Sequence, residues 1–129
     1  MPKFRVWMKS LKWMCDVTNI SFDSKFVDIC QQGDTERYTE MSVEFDEITL
    51  MQSTGLFDRN GKEIFEGDIL DYRGRKALVR WHGSYASFIY RFVDEPHKRK
   101  AEWKPLYLAY MKCEIIGNVY ENTELLEVI

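Results

Sequence analysis

The sequence predicts a mainly β protein, with α+β as the compatible variant. A β-rich N-terminal subdomain covers residues 1–54, and an SH3-like small barrel over 55–129 ends in a short helical turn. Three observations predict this. Apolar residues alternate with polar or basic ones in short runs, the period of a half-buried strand. Glycine, aspartate and asparagine punctuate those runs with turn chemistry. The 129 residues are 45% hydrophobic and 15% aromatic, ample for a packed core in one domain or two small subdomains.

The N-terminal elements follow in order. Phe4, Val6 and Met8 alternate with Lys3 and Arg5, so the chain opens on a strand. A turn near residues 9–12 leads to its hairpin partner, 13–17. Residues 20–22 and 26–30 read as two further β-prone runs. Residues 31–40 are polar, with one glycine and no apolar periodicity, and read as a loop. Residues 42–46 and 48–52 then read as extended.

The C-terminal elements are five strands with short connections, which favours antiparallel neighbours. They are expected at 68–72, 76–81, 85–92, 103–110 and 113–120, with Ala86, Phe88, Tyr90 and Phe92 on one face of the third. Pro96 helps keep 94–100 out of the ladder. Asn122 or Thr123 is the expected cap of a last turn through Leu125 and Leu126.

The most patterned run is "LMQSTGLFDRNGKEIFEGDI", residues 50–69. Asp58 and Asn60 begin it like a calcium loop, but Lys62 then places a cation where a ligand is required, and position six is Glu63 instead of glycine. Gly61-Lys62 has neither the preceding spaced glycine nor the following Ser or Thr of a phosphate loop. The same residues suit two turns: Gly55, Asp58, Asn60 and Gly61 reverse the chain, while Gly67 and Asp68 launch the next strand. No metal site and no cofactor are expected.

Charge narrows the function. The net charge is −3 and the sequence pI about 5.4, which argues against a uniformly basic nucleic-acid binder. Residues 73–112, however, carry 10 basic and 3 acidic side chains. Aromatic residues interleave with them, the composition with which small barrels hold single-stranded nucleic acid. The candidate nucleic-acid residues are Arg73, Arg75, Lys76, Arg80, Lys98, Arg99 and Lys100. The alternative is a solvated or interface face. Cys15, Cys30 and Cys113 are odd in number, lie far apart and form no C-x-x-C pair, so reduced buried thiols are expected. Nearby carboxylates such as Asp68 and Asp71 are expected at this acidic density without a catalytic role. No enzyme activity is expected.

The run from Ile48 to Leu70 closely resembles the signature of the YopX family of phage and prophage proteins, "LMQ-T-GL-D-NGKEI-EGDI". Residues 3–7 with 14–17 resemble that family's opening, and "IGNVYENTELL" at 116–126 its closing segment. The resemblance therefore spans nearly the whole chain. It implies a β-rich fold with an SH3-type barrel in the C-terminal part, a phage or prophage origin, and hence the bacterial cytoplasm. It brings no catalytic residues with it. The expected function is a non-enzymatic accessory protein that works by binding a phage protein, a host protein or nucleic acid, and that self-associates. Trp7, Trp13 and Trp103 are the expected interface anchors. No run approaches a membrane span, and no membrane partner is expected.

Overall fold

A computed structural model describes residues 3–94 and 103–127. The protein is mainly β, and among the described residues the helical segments are 3-10 turns of three or four residues. The chain forms two compact units, Met1–Gln52 and Ser53–Ile129.

The first unit is an antiparallel sheet of β1 (Phe4–Met8), β2 (Trp13–Ser21), β3 (Phe26–Gln31), β4 (Met41–Glu44) and the first half of β5 (Ile48–Phe57), ordered β4-β3-β2-β1-β5. Each strand sends alternate side chains to one face: Val6 and Met8, Cys15, Val27 and Ile29, Val43, Ile48. Sequence periodicity splits β2 into two runs, whereas the structure shows one nine-residue strand. A register shift between Val17 and Asn19 explains the split. The bulge adds a residue, so Val17 and Ile20 both pack on the core although they lie three apart.

Within the 31–40 loop, Asp34 organises the backbone. The Thr39 N–H and hydroxyl both donate to its Oδ2 at 2.6 Å, and the Gln31 N–H donates to Thr39 Oγ1 at 2.9 Å. The Thr39 hydroxyl and N–H hold the Asp34 carboxyl below the usual carboxylate range.

In the second unit, the end of β5 pairs with β6 (Glu63–Phe65) across the turn at Asp58. A five-stranded antiparallel sheet follows, from β7 (Asp68–Tyr72), β8 (Arg75–His82), β9 (Ser87–Phe92), β10 (Lys104–Pro105) and β11 (Cys113–Asn118), ordered β10-β9-β8-β7-β11. Its core face holds Leu70, Ala77, Val79, Phe88, Tyr90, Phe92 and Cys113, covered by Ile64, Leu106 and Ala109.

Three expectations are corrected here. The fourth strand, expected over 103–110, is only Lys104–Pro105, followed by 3-10 turns at Leu106–Leu108 and Tyr110–Lys112. Pro105 has no N–H to donate, and buried Leu106 and Ala109 recur at three residues, the 3-10 period. Ala86 leaves the face shared by Phe88, Tyr90 and Phe92, because it ends a 3-10 turn with φ of 47°. The last turn, Thr123–Leu126, has no side-chain cap. The Asn122 carboxamide oxygen instead accepts from the Asn118 N–H at 3.1 Å, and Asn118 Oδ1 accepts from the Tyr120 and Glu121 amides at 3.0 and 2.9 Å.

Candidate functional site

The patterned run supplies structure. Asp58 is 6% exposed, and its carboxylate takes three backbone donors: Asn60 and Lys62 on Oδ1, both at 2.9 Å, and Ile115 on Oδ2 at 3.0 Å. Burial would raise its pKa, but the three amides and nearby Lys62 outweigh that and hold it low. Arg59 N–H donates to the Cys113 carbonyl at 2.9 Å, and the Arg59 guanidinium meets Glu114 Oε2 at 2.6 Å. Asn60 Nδ2 reaches Glu114 Oε1 at 3.1 Å. The turn thus closes the free edge of β11 at Cys113 and Ile115, an edge otherwise open to pairing with another strand.

The second punctuation works similarly. Gly67 has φ of +88°, its N–H donates to Val79 O at 2.9 Å, and its carbonyl accepts from Val119 at 3.0 Å. Asp68 is fully buried and accepts from the Phe65 N–H at 2.8 Å. Gly55, with φ of +74°, marks the register shift between β5 and β6, where Thr54 Oγ1 donates to Ile64 O at 2.7 Å.

The basic segment is divided by the sheet. Arg73 sits in the β7–β8 turn with φ of 52°, its guanidinium 5.7 Å from the Tyr72 ring. Arg75 pairs with Asp94 at 2.8 Å and lies 3.6 Å over the Phe92 ring. Ala77 and Val79 point into the core, so strand alternation sends Lys76, Leu78, Arg80 and His82 to the opposite, outer face. On β9 the same rule sends Ser87, Ile89 and Arg91 outward. Lys98, Arg99 and Lys100 lie outside the described residues.

A cavity of about 380 Å³ opens on that outer face, lined by Tyr85, Ser87, Ile89, Trp103, Pro105 and Tyr107. Cross-strand register builds it, since Pro105 is opposite Ile89. Tyr85 and Tyr107 are 70% and 61% exposed, and His82 stacks on Tyr85 with ring centroids 4.2 Å apart. Arg91 reaches the Trp103 ring at 5.8 Å, and its buried Nε has no hydrogen-bond partner. Neither Arg80 nor Arg91 has an ion pair among the described residues. Lys76 has no ion pair there either, and its cross-strand partner is Asp71.

Sequence reasoning named Trp103 and Arg80 but did not assemble this pocket. Tyr85, Ile89 and Pro105 carry no local signal, because the β9–β10 pairing joins them. Trp7 and Trp13 belong to the first unit, both half-buried, with Trp13 packed on the core. All three cysteines are buried and unpaired. Burial pushes the Cys15 and Cys113 thiols up to about 11, with nearby Asp16 and Asp71 adding to the shift. Among the described residues no group of three His, Cys, Asp or Glu is placed to hold a metal ion. No helix among them is long and apolar enough to cross a membrane.

None of the curated proteins compared matches the chain. Among solved structures, the crystal structure of protein EF1440 from Enterococcus faecalis is 31% identical, with a TM-score of 0.61, covering 98% of this chain and 99% of that one. The family described as YopX protein matches residues 3–127. The two ends, the patterned run and the β architecture agree with that match, and the chain belongs to the YopX family.

Proposed function

We propose that this YopX protein works by binding rather than catalysis, and that it binds through the outer face of its C-terminal sheet. The observation that carries the reading is the open aromatic cavity beside two guanidinium groups with no ion pair among the described residues. Exposed aromatic rings and unneutralised charge both lower in free energy when a complementary ligand covers them. The chemistry such a face selects is a planar group bearing negative charge. The high pKa of Cys15 and Cys113 supports the non-enzymatic reading, since a thiol held protonated is a poor nucleophile.

Self-association is part of the same proposal. Its support is the apolar pair Leu108 and Met111, 69% and 71% exposed on consecutive 3-10 turns. A phage or prophage setting, and with it the bacterial cytoplasm, is the biological context that the resemblance implies.

The test of the face uses 1-anilinonaphthalene-8-sulfonate, a planar aromatic anion. Its fluorescence is expected to rise with the wild-type protein and to lose that rise in Trp103→Ala, near-ultraviolet circular dichroism confirming native packing in both. Equal enhancement by the two proteins would remove the assignment. Size-exclusion chromatography with light scattering tests self-association, and a clean monomer at high micromolar concentration would end it.

A further inference from the structure

The outer face combines two features that are selective together. Three rings surround the cavity, Trp103 half-buried and Tyr85 and Tyr107 largely exposed. Beside it stand two cations, Arg80 and Arg91, with no ion pair among the described residues. We propose that this face binds single-stranded nucleic acid, a base seated among Tyr85, Trp103 and Tyr107 and flanking phosphates held by Arg80 and Arg91. The inference rests on the reading of this face as the binding surface and specifies its ligand class.

The cavity, about 380 Å³ over an Ile89 and Pro105 floor, lies in the range of about 300–1,000 Å³ typical of sites for small ring systems. Bases stack on aromatic side chains irrespective of sequence, because every base has a π face. The cations are placed to take the backbone. Arg80 is the cross-strand partner of Ile89, so it adjoins the cavity floor. Arg91 lies two residues further along β9 on the same face, its guanidinium 5.8 Å from the Trp103 ring centre. An arginine on an aromatic ring keeps its outer N–H groups directed at an incoming oxyanion. Lys76 is left out of the set because Asp71 stands opposite it.

The same geometry disfavours two other polyanions. Paired and stacked bases of a duplex present no free face to three aromatic rings. An acidic peptide would satisfy the two guanidinium groups yet leave the three rings without a planar partner.

The experiment is fluorescence anisotropy of labelled (dT)12 and U12 with the full chain at about 50 and 200 mM salt, a 12-base-pair duplex serving as control. Single strands are expected to bind, more tightly than duplex, with affinity falling about sevenfold between those two salt concentrations, as two phosphate contacts require. Trp103→Ala and Tyr107→Ala are each expected to weaken binding about tenfold or more, while Trp103→Phe retains most of it. Arg80→Gln and Arg91→Gln are each expected to lower the salt slope by about 0.7, the increment for one phosphate on a single strand. Far-ultraviolet circular dichroism on every variant separates lost binding from lost folding.

Absence of oligonucleotide binding at about 50 mM salt overturns the proposal. So does duplex preference, or wild-type affinity in folded Trp103→Ala and Arg91→Gln. If the sulfonate probe binds in a Trp103-dependent way while oligonucleotides do not, the face stands and its ligand class falls. If a glutamate-rich peptide takes the site instead, the nucleic-acid assignment is likewise overturned. If neither the probe nor the oligonucleotides bind, both readings fall.

Discussion

The Asp58 carboxylate and the Ile115 amide, 57 residues apart in sequence, are joined by a 3.0 Å hydrogen bond in which the Ile115 N–H donates to Oδ2. β11 is an outer strand of its sheet, so this bond and the one from Arg59 N–H to Cys113 O occupy an edge that would otherwise be exposed. A turn that looks like a ligand loop in sequence is therefore a lock between a local reversal and a distant strand.

Asp58→Asn tests the lock. Asparagine keeps the shape but replaces one acceptor oxygen with a donor, which must face either the Ile115 N–H or the Asn60 and Lys62 pair. The expected loss is about 2–3 kcal/mol, read by urea unfolding at pH 7. The folded-state pKa of Asp58 is lowered, so its contribution is present above the unfolded value of about 3.9 and is lost as pH falls through the folded value. The difference between wild type and Asp58→Asn should therefore shrink on acidification below about pH 4. A difference that stays constant down to pH 2.5 would show that the charge plays no part.

Gly61 tests the turn's backbone. Its φ is +80° and a Cβ there would meet nothing within 4 Å, so any cost of substitution is conformational. Gly61→Ala is expected to cost about 1 kcal/mol and Gly61→Asn less, because asparagine tolerates positive φ. Equal losses in thermal melts would refute the conformational argument.

Gly117 tests a close approach. A Cβ at that position would lie 2.5 Å from Asn122 Oδ1 and 2.9 Å from Asn122 Cβ. Gly117→Ala is expected to cost about 1–3 kcal/mol by displacing the carboxamide that accepts from Asn118. Adding Asn122→Gly removes every atom in the clash, so the double variant should be more stable than the sum of the two single losses predicts. Strict additivity would rule out the contact as the cause.

The buried thiols give a pH signature. Cys15 and Cys113 are raised to about 11 when folded, chiefly by burial. Their stabilising contribution is complete below the unfolded pKa of about 8.5 and declines as pH rises towards the folded value. Native protein at pH 8.5 is expected to react with a disulfide reagent such as 5,5′-dithiobis(2-nitrobenzoic acid) far more slowly at these two positions than protein in urea. Fast native labelling of either, located by peptide mapping, would contradict the burial argument.

Much of this fold is written locally. The period of two in residues 4–8 and the Asp58 to Gly61 turn chemistry both act over a few residues, and both identify their elements correctly. Local period misled wherever tertiary contact set a different spacing. Val17 and Ile20 share a core face through a bulge, and Leu106 and Ala109 fill the core at three-residue intervals.

The opening aromatic cavity belongs to the other category. The chain alone announces a net-basic, aromatic segment from 73 to 112, and within it nothing distinguishes Arg75 from Arg80 or Tyr90 from Tyr107. Register makes the distinction. Pairing to Asp94 and Phe92 occupies Arg75, whereas the β8–β9 and β9–β10 ladders carry Arg80 and Arg91 to the side where Tyr85, Trp103 and Tyr107 converge. Composition and short-range pattern reside in consecutive residues. A site depends on which side chains a sheet brings face to face, and that is set by hydrogen-bond pairing between strands distant along the chain.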